Sequence, residues 1–407
     1  MRAFAIVAEF LALRRNTTLL LIALVLAGTG ERLWLGFAPK YLETLGATVM
    51  IIGIFDALQT LLGAIYAYPG GWLTDRLGQR RSLLLFSVIS MSGYVLVLVW
   101  QHWLALLLGA FLFLAWSALS LPATFSVVAT SLEQNRHTMG VGVQSLVRRI
   151  PMMAGPLMGG WLITRWGWER GMAWALAGCI FLTFTTAVFQ WFMEPDEPRK
   201  TERTSTSQPG NPISFISVVR GFNPTLRELL VSDILIRFCE RLPYAFVILW
   251  AMNHGGVTAE QFGWLVAIEM ITAMICYIPV AHLADKHGRR PFVLATFIFF
   301  SLFPLTLLWA HSFAGLVIAF IVRGLKEFGE PARKALIIAQ APVESRGRTY
   351  GAYYLIRDCV VTLGSFLGAW LWSISPQSNF IGAFLFGAAG TLWFWWFVFR
   401  KQTSAAN

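Results

Sequence analysis

Charge is scarce in this chain. Asp, Glu, Lys and Arg make up 13% of its 407 residues, whereas 57% are hydrophobic; a soluble chain carries about 25% charged and about 45–50% apolar residues. So little charge cannot coat a soluble protein of this size, and the outer surface is expected to face lipid. Cysteine is equally sparse. Cys179, Cys239, Cys276 and Cys359 all fall in apolar stretches, with no CxxC pair and no partnering His. They read as small apolar packing residues, and neither a disulfide nor a bound metal is expected. No nucleophile–base pair, metal-ligand spacing or nucleotide motif stands out, which argues against an enzyme, a cofactor and direct use of ATP. A basic domain is missing too: the net charge of +11 comes from bases scattered between apolar segments, which does not fit nucleic-acid binding. The first apolar run ends in Phe37-Ala38-Pro39-Lys40 without a small-x-small cleavage pattern, so it reads as a retained span.

What the chain has instead is long apolar runs. A hydrocarbon core about 30 Å thick takes roughly 20 helical residues to cross. Twelve such runs can be read, at about 17–38, 48–69, 81–100, 103–126, 140–163 and 171–193 in the first half and about 229–252, 262–283, 291–310, 313–340, 349–373 and 379–399 in the second. The 18 Trp and 32 Phe suit rings that anchor helices at the headgroup level. The one long polar stretch, about 194–228, contains Glu194-Pro195-Asp196-Glu197-Pro198. It reads as a cytoplasmic linker between an N-terminal bundle at 1–193 and a C-terminal bundle at 229–407. Within it Phe215, Val218, Val219 and Phe222 have the spacing of a short interfacial helix.

Bases set the orientation. With the N-terminus inside, the inner loops carry Arg76, Arg80, Arg81, Arg136, Lys286, Arg289, Arg290, Arg346 and Arg348. The outer loops carry Lys40, Arg165 and Arg170, and both termini, with Arg14-Arg15 and Arg400-Lys401, lie inside. The halves also resemble each other at a shift of 209 or 210 residues. Glu31-Arg32-Leu33 matches Glu240-Arg241-Leu242, Asp75 matches Asp285, and Pro122-Ala123 matches Pro331-Ala332. Arg148 matches Arg357, and Gly155 with Gly159 matches Gly364 with Gly368. Two parallel six-helix repeats joined by a polar linker are the sequence form of a facilitator with a central binding cavity.

After the second span stands Gly71-Trp72-Leu73-Thr74-Asp75-Arg76-Leu77-Gly78-Gln79-Arg80-Arg81, and after the eighth Ala281-His282-Leu283-Ala284-Asp285-Lys286-His287-Gly288-Arg289-Arg290. The physical need is a glycine for a tight turn, an aspartate that can meet a helix N-terminus or a cation, and bases held in the cytoplasm. Both segments resemble the signature loop of the major facilitator superfamily, with Ala281 where the pattern has glycine. The resemblance implies an all-α membrane fold of twelve helices in two pseudo-symmetric six-helix bundles. It also implies a conformational switch at Gly71, Asp75, Arg76, Gly78, Arg80, Asp285, Gly288 and Arg289. In that fold the third, sixth, ninth and twelfth helices face lipid, and these are the spans without mid-membrane charge. Gly155-Pro156-Leu157-Met158-Gly159-Gly160 in the fifth span resembles an element associated with proton-linked antiporters. Its other reading is close helix packing with a proline bend.

A charge at the bilayer centre costs roughly 2.5–3.5 kcal/mol on the most lenient scale, so charges there pair or face water. The spans hold Glu31, Arg32, Asp56, Arg148, Arg149, Asp233, Arg237, Glu240, Arg241, Glu269, Arg323, Lys326, Glu327, Glu330, Arg333, Lys334, Arg357 and Asp358. On the tenth span Arg323, Glu327, Glu330 and Lys334 fall on one helical stripe, with Arg333 and Lys334 expected near the solvated cytoplasmic end. Pro331 is expected to bend that helix. Bases are read as being in excess, and arginine forks suit carboxylate or phosphate. Arg32, Arg149, Arg237, Arg241, Arg323, Lys326 and Arg357 are therefore the candidate substrate-binding residues. Glu31, Asp56, Glu240, Glu269, Glu327 and Glu330 are the candidate proton carriers. The expected function is secondary transport of a small polar, anionic or zwitterionic, organic solute by proton-coupled alternating access in a bacterial inner membrane. The partners are then the solute, protons and the lipid bilayer, with the chain a monomer. The alternatives are a proton-linked drug exporter and a transporter-like receptor that moves no solute.

Overall fold

The computed structural model describes residues 15–117, 149–193, 215–341 and 346–400. The end of the fourth span with Pro122-Ala123, the loop with Arg136, the start of the fifth span with Arg148 and the linker through residue 214 lie outside the described residues. Among those described, every regular element is a helix: α1 (Arg15–Trp34), α2 (Ala38–Thr44), α3 (Val49–Leu77), α4 (Gln79–Val99), α5 (Trp103–Phe113), α6 (Arg149–Trp191), α7 (Phe215–Arg220), α8 (Pro224–Tyr244), α9 (Val247–Asn253), α10 (Ala259–His287), α11 (Arg290–Trp309), α12 (Phe313–Leu325), α13 (Glu330–Ala339), α14 (Arg346–Ile374) and α15 (Pro376–Trp393). Among the described residues, eight helices are long and apolar enough to cross a membrane. One of them, α6, has 43 residues, which at 1.5 Å per residue is about twice a hydrocarbon core. Gly167 breaks it with φ 76°, and a side chain at Gly171 would run into the backbone of Leu162 and Ile163. The chain therefore turns back on itself there, and α6 supplies the fifth and sixth spans. The expected interfacial helix is present as α7, Phe215–Arg220.

By contact the chain divides into two compact units. One comprises Met1–Ala47 with Leu62–Arg203, the other Thr48–Leu61 with Thr204–Asn407. The first part of α3 thus packs with the second unit: Gly53 lies so close to Ala369 and the Ser365 carbonyl that a side chain could not fit.

The internal repeat is visible in the packing of each unit. In the first, α1 crosses α6 where Gly155 and Gly159 meet the backbones of Arg32 and Leu33. In the second, α8 crosses α14 where Gly364 meets the Arg241 side-chain stem and Gly368 meets the Leu242 backbone. Each Glu-Arg-Leu triplet therefore begins at a glycine-lined helix crossing, the close approach that membrane helices make through small residues. Each helix also breaks soon after its triplet: α1 passes into a 3-10 turn at Leu35–Phe37, and α8 ends at Tyr244, one residue past Pro243. The glycine element of the fifth span is thereby accounted for as packing.

Two expectations change. Gly71 and Ala281 lie inside α3 and α10, and the chain turns only at Gly78 (φ 80°) and Gly288 (φ 86°). The first position of the signature loop is helical, so the turn does not depend on a glycine there. The tenth span is not one bent helix, because α12 stops at Leu325 and α13 starts at Glu330. Pro331 lacks the N–H that would bond to the Glu327 carbonyl, which accepts from the Glu330 N–H instead, and the Gly329 N–H donates to Thr296 Oγ1 at 2.5 Å. The helical stripe linking Arg323, Glu327, Glu330 and Lys334 therefore does not exist. Large apolar side chains such as Phe181, Ile275, Trp309 and Leu392 stand exposed, as a lipid-facing surface requires.

The glycine crossings yield a direct test. Gly159→Val and Gly368→Val each drive a side chain into a helix backbone, at a cost of about 1–3 kcal/mol or more. Detergent-extracted protein of either variant is expected to lose its monodisperse size-exclusion peak. Gly351→Ala, where nothing lies within 4 Å, is expected to elute as wild type.

Candidate functional site

Asp233, Arg237 and Glu240 stand at i, i+4 and i+7 of α8, so one helix face carries all three. Opposite them come Glu269 from α10, Arg323 from the end of α12, Lys326 from the turn after it, Glu330 and Arg333 from α13, and Arg357 with Asp358 from α14. These ten side chains, all in the second unit, form a chain of contacts that alternates in sign at every step.

Arg357 reaches Asp358 at 2.7 Å and Asp233 at 3.5 Å. Asp233 holds Arg333 at 2.6 Å, and Arg333 reaches Glu330 at 2.8 Å. Arg237 then bridges Glu330 and Glu240, both at 2.6 Å. Lys326 joins Glu240 at 2.8 Å to Glu269 at 3.7 Å. Arg323 closes the series on Glu269 at 3.3 Å. Five acids and five bases thus cancel. Tyr353 adds a hydroxyl that donates to Asp233 at 3.2 Å. Aromatic faces support the bases: Phe300 lies beneath Arg237 and Lys326, and Tyr354 beneath Arg357. Burial of most of these groups weakens water's screening, so the pairs interact more strongly than exposed ones would.

A separate pair lies nearby in the same unit. Arg241 binds the Asp56 carboxylate at 3.0 Å and the Asp56 carbonyl at 2.7 Å, and it donates to Ser365 Oγ at 3.2 Å. Ser365 donates in turn to Asp56 at 2.6 Å, while Tyr244 stacks on the guanidinium.

The expected site residues therefore divide. The structure brings together Arg237, Glu240, Glu269, Arg323, Lys326, Glu330 and Arg357, and it pairs Arg241 with Asp56. Arg237 and Arg241 share a helix face in sequence, but their guanidinium groups go to different carboxylates. The expected excess of bases is absent from this cluster and the Asp56–Arg241 pair, where each of the six bases has a carboxylate partner. Arg333, expected in solvent, is 1% exposed and central, while Lys334 is exposed. Glu327 lies at the break and is half-buried. Glu31, Arg32 and Arg149 belong to the first unit. Of the switch residues, Arg76 stacks on Trp72 and Arg80 on Trp191, and Arg289 donates to the Ala335 carbonyl; the side chains of Asp75 and Asp285 lie outside the described ones. Asp233, Arg333 and Asp358 were read from sequence as span charges without a site role, and Tyr353 and Ser365 were not singled out. The i, i+4 spacing of Asp233 with Arg237 and the i, i+3 spacing of Glu330 with Arg333 are the signals that could have found two of them.

Comparison with known proteins follows this geometry. The family profile described as Major Facilitator Superfamily matches residues 20–251 and 229–407. A relative named "Multidrug resistance protein MdtG", from Klebsiella pneumoniae (strain 342), is 25% identical over 395 residues, covering 93% of this chain and 91% of its own. A crystal structure of a mutant of the nucleoside transporter NupG superposes with a TM-score of 0.76 at 12% identity, covering 93% of this chain and 97% of that one. A peptide transporter POT in complex with sulfate gives 0.72 at 14%, covering 93% and 92%. At these identities the two structures bear on the fold alone.

The alternating contacts predict unequal costs. Asp233→Ala leaves Arg333 and Arg357 buried against less charge and is expected to destabilise by about 3–5 kcal/mol. Asp358→Ala, at the more exposed end of the series, is expected to cost about 0–1 kcal/mol. Thermal midpoints of the purified variants in detergent check the ranking.

Proposed function

The chain belongs to the Major Facilitator Superfamily, and we propose that it carries a small polar, anionic or zwitterionic, organic solute across a bacterial inner membrane by proton-coupled alternating access. Its family is one of multi-pass membrane transporters rather than enzymes. The observation that carries the finer reading is the neutral, alternating series of ten charges. Uptake of one proton by Glu240, Glu269 or Glu330 leaves the series with one base uncompensated. Proton occupancy is then tied to affinity for a negative group, because each proton taken up adds positive charge to the field that an anionic solute meets. The bundles at 1–193 and 229–407, joined through 194–228 and with both termini cytoplasmic, are the bodies that exchange access. In this reading Gly71, Asp75, Arg76, Gly78, Arg80, Asp285, Gly288 and Arg289 govern the exchange, and the chain works as a monomer.

A second reading, proton-linked export of drugs, is favoured by the name of the relative that covers 93% of this chain. Tyr244, Phe303 and Phe320 around Arg323 would suit its flat apolar cargo. Counterflow in proteoliposomes separates the two: organic anions compete in one case and lipophilic cations in the other.

Proton coupling is tested by collapsing the pH gradient at clamped membrane potential, which is expected to abolish concentrative flux. Flux that persists unchanged, with no proton movement linked to substrate, contradicts it. Asp75→Asn is expected to lower turnover at least tenfold while leaving binding near wild type, because the switch lies apart from the solute. Wild-type flux at equal expression removes that role.

A further inference from the structure

Arg32 and Arg241 occupy the same place in the two repeats, and their surroundings differ in one respect. Each leaves its helix at a glycine crossing, Arg32 against Gly155 and Arg241 against Gly364. Arg241 is neutralised by Asp56 and held by Ser365. The repeat does not supply those groups twice. At the shift of 210 that pairs Asp75 with Asp285, Asp56 corresponds to Val266; at the shift of 209 that pairs Arg32 with Arg241, Ser365 corresponds to Pro156. Neither the Val266 nor the Pro156 side chain can accept from a guanidinium. Among the described residues of its own unit Arg32 has no ion pair, although it lies in the last turn of α1, inside the Thr18–Thr44 span, and is only partly exposed. Its neighbour Glu31 does not supply the charge. Successive residues on a helix point about 100° apart, and the Glu31 carboxylate is buried, within electrostatic reach of Cys179 and Tyr94. A bare guanidinium in a membrane span is costly, and the scaffold spends nothing on relieving it.

We propose that Arg32 is the residue that recognises the negative group of the solute, through a paired hydrogen bond to a carboxylate or phosphate, and that Arg241 is its structural counterpart, permanently occupied by Asp56. The proposal rests on the anionic or zwitterionic reading above and narrows it from seven candidate bases to one. A planar anion would meet the guanidinium fork with two charge-assisted bonds, each about twice as strong as a neutral one. The ten-membered series in the second unit then serves the proton, and Arg32 in the first unit serves the anion.

The experiment is thermal unfolding of the full chain in detergent, followed by tryptophan fluorescence, with malonate, benzoate, inorganic phosphate and tetraphenylphosphonium as probes. Binding to the folded state raises the midpoint by mass action. At least one anion is expected to raise the wild-type midpoint, and malonate against phosphate separates carboxylate from phosphate recognition. Arg32→Gln is expected to need roughly ten- to a hundredfold more of that anion, the loss of a charge-assisted hydrogen bond. Arg32→Lys, which keeps the charge without the fork, is expected to fall between. Without any probe, Arg32→Gln is expected to be at least as stable as wild type, whereas Arg241→Gln, which strands Asp56, is expected to melt lower. An unchanged anion response in Arg32→Gln overturns this inference and leaves the anionic reading standing. A probe-free collapse of Arg32→Gln like that of Arg241→Gln makes Arg32 scaffold and also overturns it. A wild type that answers only to tetraphenylphosphonium, or to no probe, overturns both.

Discussion

A charge in a membrane span has to find an opposite charge within reach or keep contact with water. That constraint orders the second unit of this protein. Six bases and six acids enter its spans in the described contacts, and no base among the six is left without a carboxylate. The arrangement is serial rather than pairwise, since Asp233, Glu330, Arg237, Glu240, Lys326 and Glu269 each serve two or more neighbours. Serial sharing lets one change of protonation be felt along the cluster, because each partner of the altered group is itself held from its other side. A set of isolated pairs would confine the same event to two residues.

The charges depend in turn on backbone features that carry no charge. Gly324 lies against the Glu269 carbonyl and Thr272, and Gly329 lies against the Phe292 carbonyl. Those close approaches hold the break between α12 and α13 where Lys326 can turn to Glu240 and Glu330 can turn to Arg237. Asn379 does similar service on α15, donating to the Leu242 and Gly368 carbonyls at 2.9 and 2.7 Å. The crossing that places Glu240 and Arg241 is therefore fixed by both shape and hydrogen bonds. Loss of a packing glycine is expected to disturb the electrostatics as much as loss of a charge.

Much of this was legible in the sequence, and the limits are physical. Apolar length marked the spans because a bilayer imposes one thickness on every helix. The repeat marked the glycine crossings because both halves keep the residues that touch. The break in the tenth span was harder to read, since Pro331 announces a disturbance without saying whether the helix bends or ends. That ambiguity misplaced Arg333: on a continuous helix it drifts toward the cytoplasm, whereas on a restarted helix it faces Asp233. Pairing was hidden for the same reason. Sequence shows how many charges enter the membrane, but which carboxylate meets which base depends on helices distant along the chain, as with Asp56 and Arg241.

The repeats have kept their shape and parted in their chemistry. Glu-Arg-Leu on a glycine crossing, followed by a helix break, appears in both units, so that scaffold answers a demand common to the two halves. The partners of the arginine do not appear in both: one copy meets Asp56 and Ser365, and the corresponding positions of the other repeat are Val266 and Pro156. If pairing served only to make a membrane arginine tolerable, both copies would need it equally. The unequal outcome implies that the second-unit arginine is kept for architecture, while the first-unit arginine is kept despite its cost. A costly group that the scaffold leaves uncompensated relies on water or on a partner from outside the chain, and, as proposed above, that partner is the negative group of the solute.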